Sequence, residues 1–220
     1  MDANFWHQKW EQNQIPFHES QANPVLVKYF KELALAKGSR VFVPLCGKTL
    51  DIPWLLSQGY RAAGAELSKI AIEQLFAELG VEPIVSRVGA VDHYSAESVD
   101  ILGGDIFEVS SEMLGPVDAI YDRAALVALP EAMRRQYTAH LLAITKRAPQ
   151  LLATYEYDQS VMDGPPFSIS QQEVQRHYSG SYEIALRAST EVPGGLRGCD
   201  ARENVWLLSN RASGEVYPTA

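Results

Sequence analysis

Cysteine is scarce in this 220-residue sequence: Cys46 and Cys199 stand far apart, with no paired spacing for a zinc site. Two isolated cysteines fit free thiols in a reducing compartment, so a cytoplasmic protein is expected. The five histidines are scattered and no HExxH occurs, so no metal site is expected. No uninterrupted apolar run approaches the roughly 20 residues of a membrane span. The start, MDANFWHQKWEQ, lacks the basic-then-apolar order of a secretory signal. Basic charge is also short, with 19 Lys and Arg against 27 Asp and Glu and a net charge of −8. That balance disfavours nucleic acid or an anionic membrane as partner, because phosphate binding needs clustered Lys and Arg. A local basic pocket for a small anion stays open. The dinucleotide fingerprint GxGxxG is missing. CGKT at 46–49 suggests a phosphate loop, but that motif needs a glycine five residues before Gly47, where Phe42 stands.

What is present is a hydrophobic fraction of 46%, enough for a sizeable core, so residues 1–220 are expected to form one domain. Residues 1–23 carry Phe5, Trp6, Trp10 and Phe17 and read as an irregular segment that packs onto something. Residues 24–36 open on a proline and repeat apolar residues at helical spacing. A βαβ alternation follows. Strands are expected at 40–45, 60–65, 99–102, 117–121 and 151–157, with a weaker one at 83–88. Helices are expected at 50–58, after Ser68, at 131–146 and after Ser170. Residues 182–188 and 204–209 read as a final pair of strands. The fold predicted is α/β: a Rossmann-like, seven-stranded, mostly parallel sheet with helices on both faces and an antiparallel C-terminal hairpin.

In open parallel sheets ligands bind beyond the carboxyl ends of the strands. Residues at those ends are therefore candidates. Glu66 ends the second strand about 20 residues past the first turn, where a carboxylate can hold ribose hydroxyls; a helix-start glutamate is the plainer alternative. Asp105 follows Gly104 after strand 99–102 and could meet an adenine amino group, or simply shape a turn. Arg123 follows strand 117–121 and carries a planar fork suited to anions; a surface salt bridge with Asp122 or Glu131 is the alternative. Trp10 could shield a cofactor or anchor the segment, and Trp6 reads as an anchor. His18, His93 and His140 read as ordinary surface or core histidines.

The stretches W-x(2)-KW, PFHES, VFVPLCGKTLDIPWL, GAELSKIAIEQLF and IYDRAALVALP together resemble the thiopurine S-methyltransferase family, in particular its bacterial branch. The likeness runs from about Trp6 to Leu208 and is strongest between 40 and 130. It implies S-adenosylmethionine as cofactor, S-adenosylhomocysteine as product, and a small-molecule thiol or selenol as partner, in a monomer. The family's cofactor residues fall on Trp10, Leu45, Glu66, Asp105, Ile106 and Arg123. Arg123 would also serve catalysis, Phe17 would help close the pocket, and Arg197 or Arg202 would be a second substrate-side arginine, Arg197 being the one taken. Because the family is associated with tellurium and selenium resistance, tellurite or selenium compounds are an alternative natural acceptor. A noncatalytic binding protein on the same fold is the third possibility.

Overall fold

The computed structural model describes residues 3–16 and 18–211. The chain opens with α1 (Ala3–Glu11) and α2 (Pro24–Tyr29), which continues as a 3₁₀ turn to Leu33. It then runs β1 (Arg40–Pro44), α3 (Asp51–Ser57), β2 (Arg61–Glu66), α4 (Lys69–Leu79), β3 (Ile84–Val88), β4 (Val91–Ala96), β5 (Val99–Gly103), α5 (Ser111–Leu114), β6 (Ala119–Asp122), α6 (Glu131–Ile144), β7 (Gln150–Tyr157), α7 (Gln171–Tyr178), β8 (Tyr182–Glu191) and β9 (Ala201–Asn210).

The strands form one nine-stranded sheet in the order β3-β4-β5-β2-β1-β6-β7-β9-β8. The five central strands are parallel. Their residues are almost wholly buried, as expected where helices cover both faces. α2, α3 and α4 pack on one face and α5, α6 and α7 on the other. All eight strand segments expected from the sequence are present, with β8 and β9 as the antiparallel end, and the sheet has nine strands rather than seven. The 83–88 strand is not one of the parallel set. It forms an antiparallel hairpin with β4, which the sequence did not suggest, and the pair is added beyond β5. β4 reads as polar (VDHYSA) because only Val91 and Tyr94 of it are buried.

Two helix expectations change. The 24–36 helix gives way to a 3₁₀ turn at Phe30 and stops at Ala34, whose φ is 51°. The irregular reading of 1–23 is corrected for its first half, where α1 is regular. Trp6 and Trp10 are four residues apart, so one helical face presents both. Low helix propensity of the aromatic residues hid this pattern.

Ser68 caps α4 through the Ala71 amide, and Gly80 closes it in the left-handed conformation. Asn23 caps α2, its side chain accepting the Val25 N–H. At the amino end of the sheet Arg40 bonds Asp100 at 3.0 Å, and its guanidinium also reaches the Leu114 carbonyl. β1, β5 and the end of α5 are thereby locked together.

Trp206 on β9 is fully buried in the core and donates its indole N–H to Thr154 Oγ1 on β7 at 2.9 Å. Trp206→Ala should therefore lower the unfolding free energy by about 3–5 kcal/mol. Urea denaturation measures this, and a loss below about 1 kcal/mol would contradict the packing described.

Candidate active site

β1 lies between β2 and β6, and the connections turn in opposite directions on its two sides. This is the switch point at which a doubly wound sheet opens a cleft at its carboxyl edge. Leu45 follows β1 with φ 47°, Cys46 donates its N–H to the Ala65 carbonyl at 3.0 Å, and Gly47 has φ 54°. A β-carbon on Gly47 would meet Trp10 Cζ2 at 3.0 Å, so the indole lies directly on this turn. Trp10 is 6% exposed. Glycine is also required at Gly64, where a β-carbon would stand 2.7 Å from Cys46 Sγ and from Ile101 Cδ1.

Glu66 ends β2 and is buried, 6% exposed. Its Oε2 accepts the Gly47 N–H at 2.7 Å and its Oε1 the Ser68 N–H at 2.7 Å. The Glu66 backbone carbonyl accepts the Gly104 N–H at 2.9 Å. One residue thus joins the carboxyl ends of β1, β2 and β5. Burial raises the Glu66 pKa, and the Ser68, Gly47 and Leu67 amides work against that rise. A carboxylate has about four acceptor positions. The Gly47 and Ser68 bonds take one position on each oxygen and the Leu67 amide also acts on the carboxylate, which leaves room for at most one hydroxyl more on each. The donor set therefore fits a ribose, with Trp10 and the Leu45–Gly47 turn beside it. Burial, then the Glu66 charge, drive the Cys46 thiol well above its ordinary pKa. A buried thiol shifted in that direction has the character of a structural, inert cysteine.

Asp105 is exposed, and its Oδ1 accepts the Phe107 N–H at 3.0 Å, capping a short 3₁₀ turn that begins at Ile106. The turn reading of Asp105 is thus realised, without using its second oxygen. Ile106 is buried, and its carbonyl lies 2.8 Å from His140 Nε2.

Arg123 follows β6, on the other side of β1 from Glu66. Its side chain is only 13% exposed and pairs with Glu19, neither Asp122 nor Glu131. Burial works against the Arg123 charge, but Glu19, Tyr155, Tyr121 and Asp51 carry its pKa above the ordinary value. Glu19 also accepts from Asn23 Nδ2 at 3.1 Å, and the Asn23 N–H donates to buried Asp51 at 2.7 Å. The N-terminal segment is thus tied to β6 and α3 by ionic and hydrogen bonds. Burial, then Lys48, lower the pKa of His18, which lies alongside. Glu19, Asn23 and Asp51 were not singled out in the sequence. Position within PFHES was the one available signal for Glu19.

Asp122 does not orient Arg123. It faces the opposite side of the sheet, where Leu126 N–H and Tyr137 OH donate to it at 3.1 and 2.8 Å. It holds the turn in which Ala124 takes φ 64°. Arg197 lies exposed in the β8–β9 turn, close enough to Tyr157 to influence its hydroxyl. That turn is on the cleft side, since Tyr157 ends β7 and pairs with Ala201. Arg202 is directed away, its guanidinium bonding Ser189 on β8 at 2.8 Å. Phe17 lies outside the described residues.

A surface groove of about 520 Å³ lies between α4 and the β3–β4 hairpin, lined by Phe76, Val81 and Val85 among others. It is at the amino end of the sheet, remote from Glu66 and Arg123.

The model of the thiopurine S-methyltransferase family matches residues 1–203. The chain belongs to that family. A thiopurine S-methyltransferase of Xanthobacter autotrophicus is 56% identical over 210 residues, covering 94% of this chain and 99% of the relative. One from Teredinibacter turnerae is 51% identical, covering 95% and 98%. Among solved structures, the magnesium protoporphyrin IX methyltransferase of Synechocystis with bound S-adenosylhomocysteine matches with TM-score 0.62 at 13% identity, covering 95% of this chain and 100% of that one. The 1,6-didemethyltoxoflavin N1-methyltransferase of Burkholderia thailandensis matches with TM-score 0.64 at 15% identity, covering 94% and 87%. At those identities the likeness is one of fold. This member of the thiopurine S-methyltransferase family is an S-adenosylmethionine-dependent enzyme, and no helix among its described residues is long and apolar enough to cross a membrane.

Burial drives the Asp122 carboxyl from its ordinary 3.8 up to about 6, against hydrogen bonds from Leu126, Tyr137 and Ala125. A folded-state pKa raised above the unfolded value favours the folded protein below the unfolded pKa, and that contribution is lost as pH rises through the folded pKa. Relative to Asp122→Asn, the wild type should therefore lose about 1–2 kcal/mol between pH 5 and pH 8. Urea unfolding of both proteins at the two pH values measures it. A loss of the same size on going to acid pH would contradict the buried, raised carboxyl.

Proposed function

We propose that the chain transfers the methyl group of S-adenosylmethionine to the sulfur of a heteroaromatic thiol such as a thiopurine, releasing S-adenosylhomocysteine. The observation that carries this reading is the placement of Glu66 and Arg123 on opposite sides of β1 at the carboxyl edge of the sheet. In this reading Glu66 holds the ribose hydroxyls through its remaining acceptor positions. Asp105 offers its second oxygen to the adenine amino group, and Ile106 lines the ring. Trp10, packed on Gly47, covers the nucleoside with the N-terminal segment, and Leu45 meets it from the turn. When bound, S-adenosylmethionine supplies a methyl group on a sulfonium, an excellent leaving group.

The protein then has to align donor and acceptor and exclude water. An acidic heteroaromatic thiol is largely thiolate near neutral pH, so no strong general base is needed. Arg123 supplies a fixed cation toward the sulfur anion. Arg197 bounds the acceptor from the β8–β9 turn. The same reading makes the chain a cytoplasmic monomer, in keeping with two cysteines that remain free thiols.

One experiment separates the two halves of the proposal. S-adenosylhomocysteine is titrated into wild type, Glu66→Ala, Arg123→Ala and Arg123→Lys, and methyl transfer to 6-mercaptopurine is followed for each. Glu66→Ala should weaken cofactor binding by roughly tenfold to several hundredfold, since charge-assisted hydrogen bonds are lost. Arg123→Ala should bind it within a few-fold of wild type, yet lose on the order of tenfold or more in turnover, with Lys recovering part. An unchanged dissociation constant in Glu66→Ala would remove the ribose role, and near-normal turnover in Arg123→Ala would remove the catalytic one.

A further inference from the structure

The register of the sheet brings a second carboxylate to the acceptor side of the cleft. Tyr121 on β6 is opposite Leu151 on β7, and Leu151 is opposite Leu207 on β9. Side chains alternate faces along a strand. Tyr121 and Arg123, Leu151 and Ala153, and Leu207, Val205 and Glu203 therefore share one face, and Tyr155 stands at its carboxyl edge while also packing against the apolar cluster of the other face. It is the face on which α2 and α3 pack, since Tyr121, Leu151, Ala153, Val205 and Leu207 join their cluster. Tyr155 and Glu203 are direct cross-strand partners. Both are half-buried at the carboxyl edge, beyond the last apolar pair of that face. Glu19 from the N-terminal segment, not Glu203, closes the ion pair with Arg123. The neighbours of Glu203 on β9 are turned elsewhere: Arg202 to Ser189, and Asn204 to Glu156 at 3.0 Å.

Around Arg123 this face therefore carries the Glu19 and Glu203 carboxylates and the Tyr121 and Tyr155 phenols, with Asp51 bonded to the Asn23 amide beside them. A site built only to attract an anion would not place two carboxylates around its cation. A second acceptor group, set apart from the cation's ion pair, matches a ligand with a hydrogen-bond donor of its own. Heterocyclic thiols with a ring nitrogen beside the sulfur have one, the ring N–H of their thione form. We propose that Glu203 is a specificity-determining residue that accepts the ring N–H of an azaheterocyclic thiol bound as its neutral thione, and takes that proton as the sulfur, lying toward Arg123, is methylated. This rests on the reading of Arg123 as the acceptor-side cation. Burial raises the Glu203 pKa, and Arg123 and Tyr155 oppose the rise, in keeping with a carboxylate held in their joint field. The two carboxylates should also select against acceptors with a further fixed negative charge.

Three probes of one ring size test this: 2-thiopyridone has the ring N–H, thiophenol lacks it, and thiosalicylate adds a carboxylate. kcat/KM is measured for each with wild type and Glu203→Gln, together with the Kd of 2-pyridone, which is not a thiol, in the presence of S-adenosylhomocysteine. Glu203→Gln should lower the 2-thiopyridone to thiophenol ratio roughly tenfold, the loss of one charge-assisted hydrogen bond. It should weaken 2-pyridone by a similar factor and raise kcat/KM for thiosalicylate. A merely structural Glu203 would lower all three acceptors together and leave the ratio unchanged, which would overturn the proposal. Unchanged 2-pyridone affinity would overturn it too. If the wild type binds S-adenosylhomocysteine but methylates none of the three thiols, the thiol-transfer reading itself fails and takes this inference with it.

Discussion

The Glu66 carboxylate is the joint on which the cleft is built. It receives the Gly47 amide from the turn after β1 and the Ser68 amide from the start of α4, while its own carbonyl receives Gly104 after β5. A buried carboxylate is costly unless its lone pairs are satisfied. Here the two amides satisfy it in part. The residue proposed to hold a ribose thus also shapes the backbone around it. Gly47 can lie under Trp10 only because it lacks a side chain. Loss of Glu66 would therefore release the β1 turn as well as a ligand contact.

A second set of bonds draws the N-terminal segment over the same edge. Glu19 pairs with Arg123 and with Asn23, and Asn23 both caps α2 and bonds Asp51 at the start of α3. Arg134 and Glu173 do comparable work on the other face. Arg134 Nε donates to Glu173 at 2.5 Å, joining α6 to α7, and its Nη1 donates to the Leu129 carbonyl at 2.9 Å. Together with the Phe167 amide bonded to Val127, this fixes the chain that follows Arg123. Such buried pairs add modest net stability, but breaking one leaves a charge without its partner. They fix where loops lie more than how stable the sheet is.

What was legible in the sequence follows from what each element depends on. The central parallel strands are short apolar runs bounded by turns, and they stand close to where the pattern puts them. Glu66 and Arg123 were legible because strand ends define the cleft in this architecture. α1 was hidden by its aromatic residues, and β4 by polar residues that solvent tolerates at the sheet edge. The pairing of Glu19 with Arg123 was not legible, since the two are 104 residues apart and only the folded chain brings them together. Glu203 was hidden for the same reason: its place beside Tyr155 depends on the register of β7 with β9. Neither arginine of the late loop could be chosen by spacing. In the structure Arg202 bonds Ser189 on β8 and Arg197 lies exposed in the β8–β9 turn.

The central claim is that the nucleoside end of S-adenosylmethionine binds at the Glu66 turn, beneath the segment carrying Trp10. Amide hydrogen exchange with and without S-adenosylhomocysteine tests it most directly, because a covering segment is ordered by the ligand it covers. The account predicts slower exchange in residues 3–16, at 45–49 and at 66–68, with the β3–β4 hairpin unchanged. Protection confined to α4 and that hairpin, with residues 3–16 exchanging at the same rate in both states, would contradict it.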